Sequence, residues 1–377
     1  MAKIKKDIQT AFLTLVRSGL WEQDVQIKQF EKIDYSEVCR LAEEQSVVGI
    51  IAAGLEHVLD TKLNRDFALA IVGNTLQLEQ RNIAMDEFVA KLIGLLRCHE
   101  VYALLLKGQG VAQCYERPLW RTCGDVDLFL SEKNYVNAKK ILVPLASKLD
   151  EENGYNQHLA LTIDSWCVEL HGSLRGGLWK KAERVLDKVQ SAIFCEGKVR
   201  SWQNGQTQVF LPHVDEDAIY VFYHILQHFY YEGIGLRQIC DWCRLLWKYR
   251  GTINLKLLES RIREMGIMSE WKAFASVAVG TLGMPVEAMP FYSSEKKWQK
   301  KAEKILCFVI ETGNFGHNRD YSYYEKYPYV FIKVISFWRH VMDTFKYFSV
   351  FPWDSLKVLR LKMNFGIKII IHQNKTK

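Results

Sequence analysis

Gly124-Asp125-Val126-Asp127-Leu128-Phe129-Leu130 is the stretch on which the reading of this chain turns. Residues 126–130 form an apolar run of strand length. Strand side chains alternate between faces, so Asp125 and Asp127 project to one side while Val126 and Leu128 project to the other. Two acids one strand repeat apart repel each other, and at the end of an apolar strand they are costly unless a cation or hydrogen bonds offset the charge. Magnesium is the natural cation, because it prefers carboxylate oxygens together with substrate phosphates. The competing reading of the pair is a turn or a solvated strand end.

A third acid lies downstream. In Trp166-Cys167-Val168-Glu169-Leu170-His171 the apolar Trp166, Val168 and Leu170 share one face, and Glu169 and His171 share the other. A carboxylate on a strand beside an Asp-x-Asp pair is what a site needs to hold two metals and deprotonate an incoming hydroxyl. Asp164 competes for this role. It sits in Asp164-Ser165, however, which reads as the turn between antiparallel strands at 159–163 and 166–170, where aspartate caps its own backbone. His171 either orients groups at the site or is a core histidine satisfied by backbone. Upstream, the apolar residues 101–106 read as a strand buried on both faces. It ends at Lys107-Gly108-Gln109-Gly110, which opens a helix. Glycines there let a phosphate approach backbone N–H groups and the positive end of the helix dipole, making a cradle for a triphosphate. Lys107 is a phosphate partner or a solvated strand end, and Arg121, four residues before Asp125, can add a guanidinium.

The ordered set Leu106-Lys107-Gly108, then Tyr115, Pro118 and Arg121, then Gly124-Asp125-Val126-Asp127-Leu128, and finally Val168-Glu169-Leu170-His171 resembles the uncharacterised nucleotidyltransferase family of the polymerase-β-like superfamily. His224-x-x-x-His228, Gly235-Leu236-Arg237 and Asp241 look similar to that family's flanking helical regions. The resemblance implies an α+β fold: a polymerase-β-like core, a small mixed sheet with helices, flanked by N-terminal and C-terminal helical domains. It implies that Asp125, Asp127 and Glu169 hold two Mg2+ ions, and that Lys107, Gly108, Gln109, Arg121 and Arg237 contact a nucleoside triphosphate. The activity implied is transfer of a nucleoside monophosphate from an NTP to an acceptor (a protein, sugar, small molecule or nucleic acid) with release of pyrophosphate. Lys107-Gly108 stands where the superfamily usually has Gly-Ser, so Lys107 or Gln109 replaces the serine that would contact a phosphate. The alternative is a catalytically inactive nucleotide-binding or interaction protein that keeps the fold.

A chain of 377 residues, 49% hydrophobic and 25% charged with only 7 prolines, is an ordered globular protein with room for more than one domain. Helical periodicity fills residues 8–98, where Leu78, Met85, Phe88, Leu92 and Leu95 mark one apolar face, and it returns after Pro212. The expected division is a helical bundle at 1–95, the nucleotidyltransferase core at 96–210 with a helix near 133–148, and a helical domain at 211–377. The net charge of +7 suits a polyanionic ligand. Nine scattered cysteines read as reduced thiols. With no signal peptide and no run of eighteen apolar residues, the expected location is cytoplasmic.

Two further patterns stand apart. His224, His228, Cys240 and Cys243 are zinc-ligand types, but cysteine in an apolar helix behaves as a small hydrophobe, and the resemblance alternatively implies that His224 and His228 face the cleft with Arg237 and contact base or acceptor. Phe331, Ile335, Trp338, Met342, Phe345 and Phe348 recur near helical spacing, which reads as core or interface packing. With the tail Lys357, Arg360, Lys362, Lys368, Lys375 and Lys377, opposed only by Asp354, this basic aromatic end can alternatively contact an anionic surface, membrane or nucleic acid.

Overall fold

The computed structural model describes residues 2–30, 33–318 and 329–375. The chain opens with four helices: α1 (Ala2–Trp21), α2 (Tyr35–Glu44), α3 (Val48–Glu56) and the 34-residue α4 (Arg65–Cys98). Asp34 and Asn64 cap α2 and α4 by accepting from backbone N–H groups of the first turn. α1 and α3 touch backbone to backbone. A methyl group at Gly19 would lie 1.8 Å from the carbonyl oxygen of Ile50, and one at Gly54 would lie 2.1 Å from that of Leu15. Gly19→Ala is therefore expected to cost about 1–3 kcal/mol by forcing the helices apart. A lower urea midpoint at an unchanged slope checks it.

Seven strands follow: β1 (Ala103–Leu106), β2 (Val126–Leu130), β3 (Lys148–Leu149), β4 (His158–Ile163), β5 (Trp166–His171), β6 (Val199–Asn204) and β7 (Thr207–Pro212). They form one mixed sheet in the order β3-β4-β5-β2-β1-β7-β6, so the architecture is α+β. The pairs β2–β5 and β1–β7 are parallel and the rest antiparallel. β1 and β2 are buried along their whole length, as continuous apolar runs covered on both faces should be. One face, with Ala103, Leu105, Val126, Leu128 and Leu130, packs on Met85, Phe88 and Leu92 of α4 and on α6 (Glu132–Leu142). The other, with Leu104, Leu106 and Phe129, packs into a second core shared with α5 (Gly108–Ala112), α7 (Lys180–Glu196), α8 (Val214–Tyr231) and the helices beyond. That core runs on into α1–α3, α9 (Leu236–Lys248), α10 (Leu255–Met265), α11 (Met268–Gly280) and α12 (Lys296–Thr312).

Three details differ from the sequence reading. The β6–β7 hairpin lies in a stretch read without strands, although Asn204-Gly205, with Gly205 at φ +57°, is a hairpin turn signal. The helix expected at 133–148 stops at Leu142, because Pro144 cannot donate to the helical ladder, and β3 follows a short 3-10 turn. The expected aromatic packing is corrected in the helix Tyr329–Phe348. Trp338, Met342, Phe345 and Phe348 face outward, and Thr344 and Tyr347 are buried instead. The two sets lie on different sides of one helix, and Tyr347 reaches the aromatic cluster of Phe229, Tyr230 and Phe308. The side chain of Phe331 lies outside the described residues, as do Lys377 and the side chains of Lys368 and Lys375. Among the described residues, no helix is long and apolar enough to cross a membrane.

The last helix, Pro352–Lys375, sets its Asp354 near Glu270 of α11, which is fully buried and bonded by the Tyr230 hydroxyl. Burial, and then the negative charge of Asp354, push the Glu270 carboxyl up to about 8 from an ordinary 4.5. Lys301 also feels the charges of Glu270 and Asp354, Tyr347 acts on Tyr230, and burial lowers Lys301. The folded chain thus keeps a proton that the unfolded chain releases. This contribution is full below pH 4.5 and is lost as the pH rises through about 8. Between those values Glu270→Gln is expected to gain on the parent by up to about 1 kcal/mol per pH unit, measured by urea unfolding at pH 6, 7 and 8.

Candidate functional site

The parallel pairing of β2 and β5 sets Asp127 in register with Glu169 and Phe129 with His171. Because β4 and β5 are joined by the two-residue turn Asp164-Ser165, their register brings His158 opposite His171. Four polar side chains thus meet on one face of the sheet, while Val126, Val168 and Leu170 anchor the strands on the other. Asp127 is only 4% exposed. Its Oδ1 lies 2.9 Å from His171 Nε2 and 3.1 Å from Lys107 Nζ. Glu169 Oε2 lies 3.1 Å from His158 Nε2 and 3.5 Å from His171 Nε2. Burial opposes ionisation of Glu169, but the bonds from His158 and His171 outweigh it and hold its carboxyl far below the usual range. Asp125, just before β2, goes the other way: burial first, then Asp127 and Glu169, push its carboxyl up, against the pull of Lys107 and Arg237.

Lys107 ends β1 at φ +48°, and Gly108 follows at φ +41°. Two left-handed residues in a row turn the chain back over the site. The strain of placing a lysine there is characteristic of functional positions. Its Nζ bridges Asp127 and, at 2.8 Å, His224 Nε2 on α8. His224 Nε2 is in turn 2.9 Å from His228 Nε2, whose ring also meets Glu232 Oε2 at 2.9 Å. Burial and the adjacent ammonium push His224 well below its usual range. The helix that Lys107-Gly108 opens, α5, is a single turn of five residues. Gln109 on it is 2% exposed, and neither its amide nitrogen nor its oxygen has a hydrogen-bond partner among the described residues.

Lys107, Asp125, Asp127 and His224 line a cavity of about 550 Å³, open solvent included, between the sheet and helices α8 and α9, whereas Glu169, His158, His171 and Gln109 are not among its lining residues. Asp125, Asp127, Lys107 and Gly108 form one wall, and His224, Arg121, Arg237 and Asp241 form the other. Arg121 lines the cavity, but its guanidinium fork is engaged by Asp241, with Nε at 3.0 Å from Oδ1 and Nη2 at 2.6 Å from Oδ2. The Tyr115 hydroxyl donates to the same carboxylate at 2.8 Å. Arg237 donates from Nη1 to the Thr122 carbonyl at 2.8 Å, and its buried Nε has no partner among the described residues. Burial and the nearby Arg121 lower Arg237 from its usual range.

His158 and Asp241 were not assigned a place at the site from composition or spacing. The signal for His158 was present: a two-residue turn pairs 163 with 166 and hence 158 with 171. Asp164 occupies that turn, at the far end of the hairpin from His158. Cys240 and Cys243 are fully buried in the apolar core, and among the described residues no metal-type cluster joins them to His224 and His228.

Asp127 and Glu169 are neighbours in register and Asp125 feels the charge of both, but among the described residues the three carboxylates do not close into one metal-type set; His158, Glu169 and His171 do. The facing cations fit an anion. A family model described as "uncharacterised nucleotidyltransferase" matches residues 31–280, well over half of the chain. No curated protein and no solved structure matches.

Proposed function

This chain belongs to that uncharacterised nucleotidyltransferase family, and we propose that its sheet is a polymerase-β-like core that moves a nucleoside monophosphate from an NTP to an acceptor. The observation that supports the reading is the register of Asp127 with Glu169 on parallel strands, beside a cavity that Asp127 lines together with Asp125, Lys107 and Arg237. Asp125, Asp127 and Glu169 are the residues that would hold magnesium. When bound, magnesium supplies positive charge to offset that on the phosphoryl oxygens.

The chain's own groups do the rest. Lys107 and Arg237 bind the phosphates, with Gly108 leaving room for them and the Gln109 amide within the same turn. Arg121, held by Asp241, keeps the arginine-lined wall in place. Glu169, kept ionised by His158 and His171, accepts a hydrogen bond from the acceptor hydroxyl and orients it, the hydroxyl proton passing to water. The freed oxygen attacks the α-phosphorus, the α–β bridging P–O bond breaks, and pyrophosphate leaves with the bonding electrons.

The test is release of pyrophosphate and transfer of label from α-32P-labelled ATP, GTP, CTP and UTP in magnesium, with the parent and with Glu169→Gln. Label transfer by the parent that is lost in Glu169→Gln is expected. Equal transfer by Glu169→Gln together with loss in Asp164→Asn would move the third acid to the turn. Nucleotide bound without pyrophosphate release identifies a binding protein that has kept the fold.

A further inference from the structure

His158, Glu169 and His171 form a compact set: His158 Nε2, His171 Nε2 and a Glu169 carboxylate oxygen all lie within 4.8 Å of one another. The nitrogens stand 3.1 and 3.5 Å from Glu169 Oε2. Metal bonds of about 2.1 Å give ligand-to-ligand edges of about 3.0 Å in an octahedron and about 3.4 Å in a tetrahedron, so these separations match the edges of a coordination shell. Both rings are aimed at the carboxylate rather than stacked on each other, with centroids 4.8 Å apart and planes at 49°. His171 Nε2 also faces Asp127 Oδ1, placing a second carboxylate at the edge of the set.

Donor chemistry separates this set from the aspartate side of the site. Magnesium takes oxygen and keeps its waters, whereas imidazole nitrogen suits first-row transition cations. Two imidazoles and one carboxylate are the donors that such ions collect, with further positions left for water or substrate. Lys107 Nζ, 3.1 Å from Asp127 Oδ1, already supplies positive charge on the aspartate side.

We propose that His158, Glu169 and His171 bind a first-row divalent transition cation, such as Mn2+ or Zn2+, in preference to magnesium. The cation takes the place of the protons that join the two rings to the carboxylates. The inference shares Glu169 with the nucleotidyl-transfer reading and rests on that site being a metal site. It divides the labour there: a resident nitrogen-ligated ion on Glu169 Oε2, which faces the two rings, and magnesium arriving with the nucleotide at Asp125 and Asp127, with the other Glu169 oxygen left for it.

The test is a titration of chelator-stripped protein with Mn2+ alone, without nucleotide, read by electron spin-echo envelope modulation. Modulation from imidazole nitrogen in the bound Mn2+, undisturbed by a hundredfold excess of Mg2+, is expected. His158→Gln is expected to weaken Mn2+ binding about tenfold or more and to reduce the nitrogen modulation, with an unchanged far-ultraviolet spectrum. His171→Gln serves if His158→Gln does not fold. Bound Mn2+ with no nitrogen modulation, or ready displacement by Mg2+, overturns the proposal. Because no nucleotide is present, either result stands apart from the nucleotide-dependent test of transfer.

Discussion

Asp125→Asn is expected to slow pyrophosphate release on the order of a thousandfold while making the metal-free protein more stable. The two effects share one cause. The Asp125 carboxyl is pushed up by burial and by Asp127 and Glu169, so the folded chain resists its ionisation more than the unfolded chain does. Such a group contributes stability only below its ordinary range, and that contribution is lost as the pH rises through its folded value. At neutral pH the charge opposes folding, and the neutral amide removes the opposition. The ionised oxygen that a cation needs is lost at the same time. Pyrophosphate release and urea unfolding, both at pH 7.5 and the latter in chelator, check the pair of effects. A residue at a merely solvated strand end would move neither.

The second large effect is on the fold. Arg121→Ala is expected to cost about 3–5 kcal/mol, because among the described residues it leaves the buried Asp241 carboxylate with the Tyr115 hydroxyl as its hydrogen-bond partner. Arg121 and Asp241 are 5% and 6% exposed, and the guanidinium meets both carboxylate oxygens. The pair ties the segment before β2 to α9 along one wall of the cavity. Replacing both partners with apolar residues, Arg121→Met with Asp241→Leu, is expected to recover most of the loss, since neither charge is then stranded. Urea midpoints of the parent, the single variant and the double variant measure this. A loss in the double variant as large as in Arg121→Ala would show that the pair does more than neutralise charge.

That wall also shows what was and was not legible in the chain itself. Strands β2 and β5 and the turn between β4 and β5 were readable, because their apolar residues alternate with acids and the turn carries Asp164-Ser165. The positions of Asp127 and Glu169 on one face follow from period two alone. Their register does not, since it depends on a parallel pairing set by packing. Arg121 was readable as a cation four residues before Asp125, but its partner Asp241 lies 120 residues away, beyond any local pattern. Lys107 stood out by position, whereas its left-handed backbone and its reach to His224 are tertiary facts. In the helix Tyr329–Phe348 the periodicity identifies a stripe without saying which side meets the core. Tyr347 turned inward and Phe345 outward. The β6–β7 hairpin was missed because its edge strand carries polar residues on both faces, and only Asn204-Gly205 announces it.

The central claim, that the carboxylates before and on β2 hold the cation of a nucleotide site, is tested most directly by thermal unfolding against each of ATP, GTP, CTP and UTP, with and without magnesium. A ligand that binds only the folded chain raises its unfolding temperature. The parent is predicted to show a magnesium-dependent rise with at least one nucleotide, and the variant carrying Asp125→Asn and Asp127→Asn to show none. A rise of equal size in that variant, or no rise in the parent with any of the four, would contradict the claim.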